Sequence, residues 1–219
     1  MLIVMVVIFE LVPRITEGQS WAFVNSGNFQ NLLSVLPELG LMAIGVTMLL
    51  IAGEFDLSVG SVSAFTPVLA FELMNNGNHF LNFGLAAWSA IPIALTVAAC
   101  IGYITGQITL KFKIHSFVAT LGMLFIVRSL AVVITQGFPP STPDSAPLDL
   151  AQTMILGMSV PLWIFIVVTF LAIALLTKTN FGNWIYATGG DVESTRCVGV
   201  KTDRVKVISF MLCSFLAGL

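Results

Sequence analysis

The sequence predicts an all-α protein, a polytopic bundle of transmembrane helices, and two observations lead to this prediction. Only 9% of the 219 residues are charged, against about 25% in an ordinary soluble domain, and 57% are hydrophobic. The apolar residues are gathered into runs of about 20, the length that a helix needs to cross a bilayer. The same composition excludes intrinsic disorder, and a net charge of −2 without a basic stripe excludes nucleic-acid binding.

About six or seven membrane segments follow one another along the chain. The first apolar run, residues 1–12, is too short to span a bilayer and is interpreted as the end of a span. Complete spans are predicted at residues 32–52, 83–110, 116–135 and 160–177, with a short apolar run at 62–73. A last span starts at 205 and is still apolar at 219, so we expect a C-terminal truncation. Residues 1–219 are therefore predicted to be a single, incomplete transmembrane domain.

The positive charges predict the orientation of the bundle. Lys111 and Lys113 lie in one short loop, and a second cluster of Lys and Arg lies in residues 178–204. Because cytoplasmic loops are enriched in these residues, both loops are predicted to be cytoplasmic. Residues 75–82 and 136–159 contain no Lys or Arg and are predicted to be external, the second as an extended loop.

Residues 53–61, called the helix break below, separate two apolar runs. Ionisable residues at membrane depth are costly and usually face a polar cavity or a partner. One interpretation is therefore a place on the translocation path; the other is an interfacial turn in which Asp56 caps the next helix, with Ser58 or Ser61 as alternative caps. The candidate residues of the break are Gly53, Glu54, Asp56, Ser58 and Gly60.

Gly102 and Gly106 form a small-xxx-small pair inside a predicted span. Such a pair lets another helix approach closely, and we interpret it as packing within the chain.

No motif in the sequence indicates catalysis or nucleotide binding: there is no P-loop, no H-E-x-x-H and no Ser/His/Asp grouping. We therefore expect no catalytic residue, no metal site and no cofactor on this chain.

Residues 190–199, called the coupling segment below, have the pattern of a short capped helix. Asp191 is a plausible N-cap, Glu193 lies in the first turn, and Arg196 lies in the last. Gly199 can adopt the left-handed conformation that ends a helix, and Thr202 or Asp203 could cap the next span. Such a helix has little to bury within its own chain, so it is expected to dock to a second protein; a solvated connector is the alternative. Its candidate residues are Gly190, Asp191, Glu193, Ser194, Arg196 and Gly199.

Three segments resemble bacterial sugar ABC-transporter permeases of the ribose/xylose/galactose type. Residues 53–61 resemble that family's G-G-I-D-L-S-V-G-S signature, and residues 116–123 resemble its segment ending in T-L-G-M. Residues 182–207 resemble its long cytoplasmic loop. The chain departs from the family at Glu54 and Phe55, where the family usually has Gly-Ile.

The resemblance implies a subunit of roughly ten helices in the bacterial inner membrane, surrounded by lipid and paired with a second permease subunit as a homodimer. A periplasmic or lipoprotein solute-binding protein would deliver the sugar, and a separate ATP-binding subunit would hold ATP and Mg²⁺. The coupling segment would then contact that ATPase. The alternative function is ion-coupled secondary transport, in which Glu54 and Asp56 at a broken helix would hold the ion.

Overall fold

A computed structural model describes residues 4–7, 9–11, 25–75, 83–138, 153–155 and 158–219, and most of these residues are helical. The helices are α1 (Ser26–Ile51), α2 (Val59–Met74), α3 (Ala87–Lys111), α4 (Ser116–Ile134), α5 (Val160–Lys178), α6 (Asn180–Gly190), α7 (Val192–Cys197) and α8 (Thr202–Gly218). Two short strands, β1 (Met154–Ile155) and β2 (Met158–Ser159), pair antiparallel before α5. The prediction of a helical membrane bundle is confirmed.

Four helices, α1 (from Gly27), α3, α4 and α5, are long and apolar enough to cross a membrane. They correspond to the four predicted spans, although α1 begins six residues before the apolar run that predicts it. The apolar run at 62–73 becomes the 16-residue helix α2, which is about 24 Å long at 1.5 Å per residue. Of the first apolar run, residues 4–7 and 9–11 are helical, and the others lie outside the described residues.

Helix α8 forms the centre of the bundle, where it packs against α1, α2 and α3. Phe210 and Cys213 of α8 are fully buried. A Cβ atom added to Gly102 would lie 2.5 Å from the Phe210 carbonyl oxygen, and one added to Gly106 would lie 3.2 Å from the Val207 Cα. The glycine pair therefore lets α3 approach α8 closely, which confirms the predicted packing within the chain.

The two predicted cytoplasmic loops meet at one end of the bundle, where their residues line shared clefts. One cleft at this end is lined by Lys111, Asp203 and Arg204, and another by Lys113 and Arg196 among others. At the opposite end, the Leu85 N–H donates to the carbonyl oxygen of Leu73, 2.8 Å away, where α2 leads into α3. The prediction that the two basic loops lie on the same side is confirmed by the clefts that they share. Residues 76–82, 139–152 and 156–157 of the predicted external loops lie outside the described residues.

Candidate functional site

The helix break begins with a Schellman motif at the end of α1. Gly53 has a φ of +82°, a conformation that costs glycine little because it has no Cβ. Its N–H donates to the Leu50 carbonyl oxygen at 3.0 Å, and the Glu54 N–H donates to the Leu49 carbonyl oxygen at 3.1 Å. These are the two bonds of a Schellman cap, so glycine at position 53 determines where α1 ends.

Asp56 organises the start of α2 from two residues before the helix. Its Oδ1 accepts hydrogen bonds from the Ser58 backbone N–H at 2.7 Å and from the Ser58 hydroxyl at 2.6 Å. The N-cap position belongs to Ser58, one of the two alternative caps, and not to Asp56. The reason is that an Asp side chain bonds equally well to the backbone two residues on in an Asx-turn.

Asp56 is only 2% exposed, and its Oδ2 has no hydrogen-bond partner among the described residues. Gly60 lies one residue inside α2, and a Cβ there would meet nothing within 4 Å. Among the described residues, packing therefore does not require glycine at this position.

Glu54 is held by a cation from a distant part of the sequence. The Lys206 Nζ of α8 lies 2.6 Å from the Glu54 Oε1, and both side chains are largely buried, at 13% and 11% exposure. The two residues are 152 positions apart. Lys206 lies at the start of the last predicted span, and no sequence pattern identifies it as the partner of Glu54.

The helix break lies at the end of the bundle that carries the basic loops. The Phe55 N–H donates to the Ser116 Oγ of α4 at 3.2 Å. A Cβ on Gly53 would lie 3.6 Å from the Gly189 Cα of α6. The cleft that Gly53 and Glu54 line also includes His115, Arg196 and Asp203. The break therefore joins α1, α4, α6 and α8 near the predicted cytoplasmic surface.

The coupling segment contains the predicted capped helix as α7. The Asp191 Oδ1 accepts from the N–H groups of Glu193 and Ser194 at 3.0 and 3.2 Å, and the Ser194 hydroxyl donates to Oδ2 at 2.5 Å. These bonds lower the pKa of Asp191, that from the Ser194 hydroxyl most strongly. Gly199, with a φ of +87°, donates to the Arg196 carbonyl oxygen at 2.9 Å and ends the helix.

The predicted bounds of this helix are wrong in one respect, because Gly190 ends the preceding helix α6. That helix was not predicted. Its sequence signal is Thr179, whose Oγ1 accepts from the Gly182 N–H at 3.1 Å as an N-cap.

Helix α7 also buries more within its own chain than expected. Thr195 is buried, and its hydroxyl donates to the Ala187 carbonyl oxygen of α6 at 2.8 Å. Helices α6 and α7 therefore pack as one unit.

Arg196 connects α7 to the beginning of α8. Its Nε donates to the Thr202 Oγ1 at 2.9 Å, and its Nη2 donates to the Asp203 Oδ1 at 2.7 Å. This contact with Asp203 raises the pKa of the guanidinium above its ordinary value. The N-cap position of α8 belongs to Lys201, so the prediction that Thr202 or Asp203 caps this helix is wrong. Both side chains bind Arg196 instead.

The family model described as "Branched-chain amino acid transport system / permease component" matches residues 28–219. The chain belongs to this family. The match covers both the helix break and the coupling segment. Together with the four helices of spanning length, membership identifies the chain as a multi-pass membrane permease component.

The chain is also similar to curated permeases. It is 32% identical over 222 residues to the ribose import permease of Escherichia coli strain K12, covering 100% of this chain and 66% of that protein. It is 32% identical over 199 residues to the xylose/arabinose import permease of Sulfolobus acidocaldarius, covering 90% and 55%. It is 31% identical over 187 residues to the autoinducer 2 import system permease of Photorhabdus luminescens, covering 82% and 52%.

The chain thus spans between about half and about two thirds of the length of these relatives. The resemblance to permeases of the ribose/xylose type is confirmed. No solved structure matches the chain.

Proposed function

We propose that the chain is the membrane-spanning permease subunit of an ATP-binding-cassette importer in the bacterial cytoplasmic membrane. Its cargo is a sugar or a related small polar solute, which a periplasmic or lipoprotein binding protein delivers. A second permease subunit completes the pathway as a homodimer. ATP and Mg²⁺ bind to a separate ATPase subunit, and the permease itself catalyses no reaction.

The observation that carries this proposal is the family match over residues 28–219. The matched range contains both the apolar bundle and, at one end of it, the short helices α6 and α7. A solute pathway needs spanning helices, and energy input from a soluble ATPase needs an element outside the bilayer. Helices α6 and α7 supply that element, because they pack on each other and on α8 beyond the spans.

The coupling segment presents a surface suited to a protein partner. Glu193 has a side chain that is 83% exposed, and Val198 is 80% exposed at the end of α7. Arg196 donates to the Glu193 carboxylate at 3.3 Å, and its other two bonds go to Thr202 and Asp203 of α8 within the chain. Glu193 and Val198 are therefore the proposed ATPase contacts, whereas Arg196 transmits force from α7 to α8.

Ion-coupled transport, the alternative function, is less well supported by the geometry of the helix break. The Glu54 carboxylate, a candidate ion ligand, is already paired with the Lys206 ammonium. Its negative charge is therefore neutralised from within the chain.

The test is reconstitution of the protein in proteoliposomes with its genomic-neighbour ATPase and binding protein. We expect uptake of a radiolabelled pentose such as ribose, xylose or arabinose that requires ATP and the binding protein. Uptake that persists without ATP and collapses when ionophores dissipate the ion gradients would contradict the proposal and favour secondary transport.

The docking surface is tested separately by co-purification. Glu193→Lys or Val198→Glu should reduce ATPase recovery with the permease at least fivefold, because the first reverses the charge of one contact and the second places a charge at an apolar contact. Lys178→Gln is the control, since it removes an exposed charge at the end of α5, outside α7. Full ATPase recovery with both α7 variants would show that the coupling segment is a solvated connector.

A further inference from the structure

Two polar contacts follow each other along the first turns of α8. Arg196 of α7 bonds to Thr202 and Asp203 in the first turn of α8. One turn further on, Lys206 binds Glu54 of the helix break. The beginning of α8 is therefore bound to the coupling segment on one side and to the break on the other.

The two contacts differ in how far water can weaken them. The Arg196 side chain is 47% exposed, so the contacts to Thr202 and Asp203 can open and re-form in water. The Lys206–Glu54 pair is shielded from water, and charges that are removed from water interact more strongly at a given distance. Opening this pair would leave two buried charges without partners, which is strongly unfavourable.

The helix break is itself in contact with several membrane helices. It ends α1, begins α2 and receives α4 through the Ser116 hydroxyl. Any displacement of the Glu54 backbone therefore also displaces the ends of these helices at the predicted cytoplasmic end of the bundle. Glu54 also replaces the glycine of the Gly-Ile pair in the family signature that residues 53–61 resemble.

We propose that Glu54 and Lys206 are positioning residues that make the helix break move together with α8 when the ATPase displaces α6 and α7. Their ion pair sets how much of the ATPase motion reaches the solute pathway, and neither residue contacts the solute. This inference rests on the proposed function, because it assumes that an ATPase drives the motion.

The first test compares Glu54→Gln and Lys206→Met with the charge-swapped double variant Glu54→Lys/Lys206→Glu in the reconstituted importer. Solute uptake and ATP hydrolysis are both measured per mole of assembled complex. We expect each single variant to hydrolyse ATP within twofold of the wild-type rate but to import at least fivefold less solute per ATP. The double variant should recover most of this ratio, because it restores an ion pair of reversed orientation.

Lys201→Met is the matched control, since it makes the same chemical change at an exposed position five residues earlier. It should leave the ratio of uptake to hydrolysis unchanged. A proportional fall of uptake and hydrolysis in the single variants would mean that the pair supports the overall activity of the complex without setting the coupling ratio, and unchanged values of both would mean that it affects neither; both results overturn the proposal. Failure of the wild-type complex to import with ATP would instead refute the proposed function.

A second test does not depend on folding of the charge variants. Cysteines at positions 54 and 206, in a background in which Cys100, Cys197 and Cys213 are replaced by alanine, are bridged with a short reversible bifunctional thiosulfonate. The reduced form lacks the ion pair and should import at least fivefold less solute per ATP than the cysteine-free background, whereas bridging, which makes the break and α8 move as one unit, should restore most of this ratio. Loss of uptake on bridging, with recovery on reduction, would show that the two segments must separate and would overturn the proposal.

Discussion

The helix break and the coupling segment use the same local structure in opposite environments. Each contains an aspartate that accepts hydrogen bonds from the backbone and the side chain of nearby residues, Asp56 from Ser58 and Asp191 from Ser194. In each, a left-handed glycine ends a helix. Asp56 is buried, however, whereas Asp191 is exposed.

The partners of the charged residues differ in the same way. Glu54 of the break reaches across the fold to Lys206, while Arg196 of the coupling segment finds its partners within seven residues. Local sequence rules therefore describe the turn in both regions. Burial determines that the Glu54–Lys206 pair contributes to the stability of the bundle, whereas exposed charges such as Glu193 are accessible to a partner protein.

The sharpest test of this comparison removes one ion-pair partner in each environment. Lys206→Met leaves Glu54 as an uncompensated buried charge, and we expect the free energy of unfolding to fall by about 3–5 kcal/mol. Asp203→Asn removes the exposed partner of Arg196 and should have a much smaller effect, because water replaces it. Thermal unfolding in detergent micelles measures both, and equal destabilisation would contradict the difference in burial.

The close approach of α6 to the end of α1 can be tested with two adjacent glycines. A Cβ on Gly189 would collide with the Ile51 carbonyl oxygen, whereas one on Gly190 would meet no described residue within 4 Å. Gly189→Ala should therefore reduce the free energy of unfolding by about 1–3 kcal/mol, the usual cost of overpacking. Gly190→Ala is the matched control in the same unfolding assay, and a loss as large as that of Gly189→Ala would refute the packing explanation.

Removal of the α7 cap should have a local effect. Asp191→Ala leaves the N–H groups of Glu193 and Ser194 without their acceptor, so we expect their amide hydrogen exchange to accelerate about fivefold. Asp191→Asn keeps an acceptor oxygen and should exchange at nearly the wild-type rate. Exchange measured by mass spectrometry over α7 decides the outcome, and unchanged exchange in the alanine variant would show that the cap does not hold the helix.

Acidification should have the smallest effect, and its direction follows from the lowered pKa of Asp191. Because the folded-state pKa lies below the ordinary value of 3.8, the cap contributes fully above that value. Its contribution is lost as the pH falls from there through the lowered folded-state pKa. Between pH 7 and pH 5 the exchange of α7, corrected for the intrinsic rate, should therefore stay constant in the wild type and in Asp191→Asn alike.

Prediction from sequence succeeded where the information was local. The apolar runs predicted the spanning helices, and Asp191 and Gly199 predicted both ends of α7. It failed for α6, because its buried positions Gly182, Ile185 and Thr188 do not form a conspicuous apolar stripe. It also left the cap of α2 open, because Asp56 and Ser58 are both good candidates within one turn.

The sequence by itself determined that this chain is a helical membrane protein, where its spans lie, which loops share a side and where glycine ends a helix. These properties depend on the length of apolar runs, on charge and on backbone conformation, all of which are read from neighbouring residues. Only the tertiary structure decided that Lys206 pairs with Glu54, that α8 is central and that Arg196 faces inward to α8. These properties depend on which distant surfaces pack together, and burial then sets the strength of each contact.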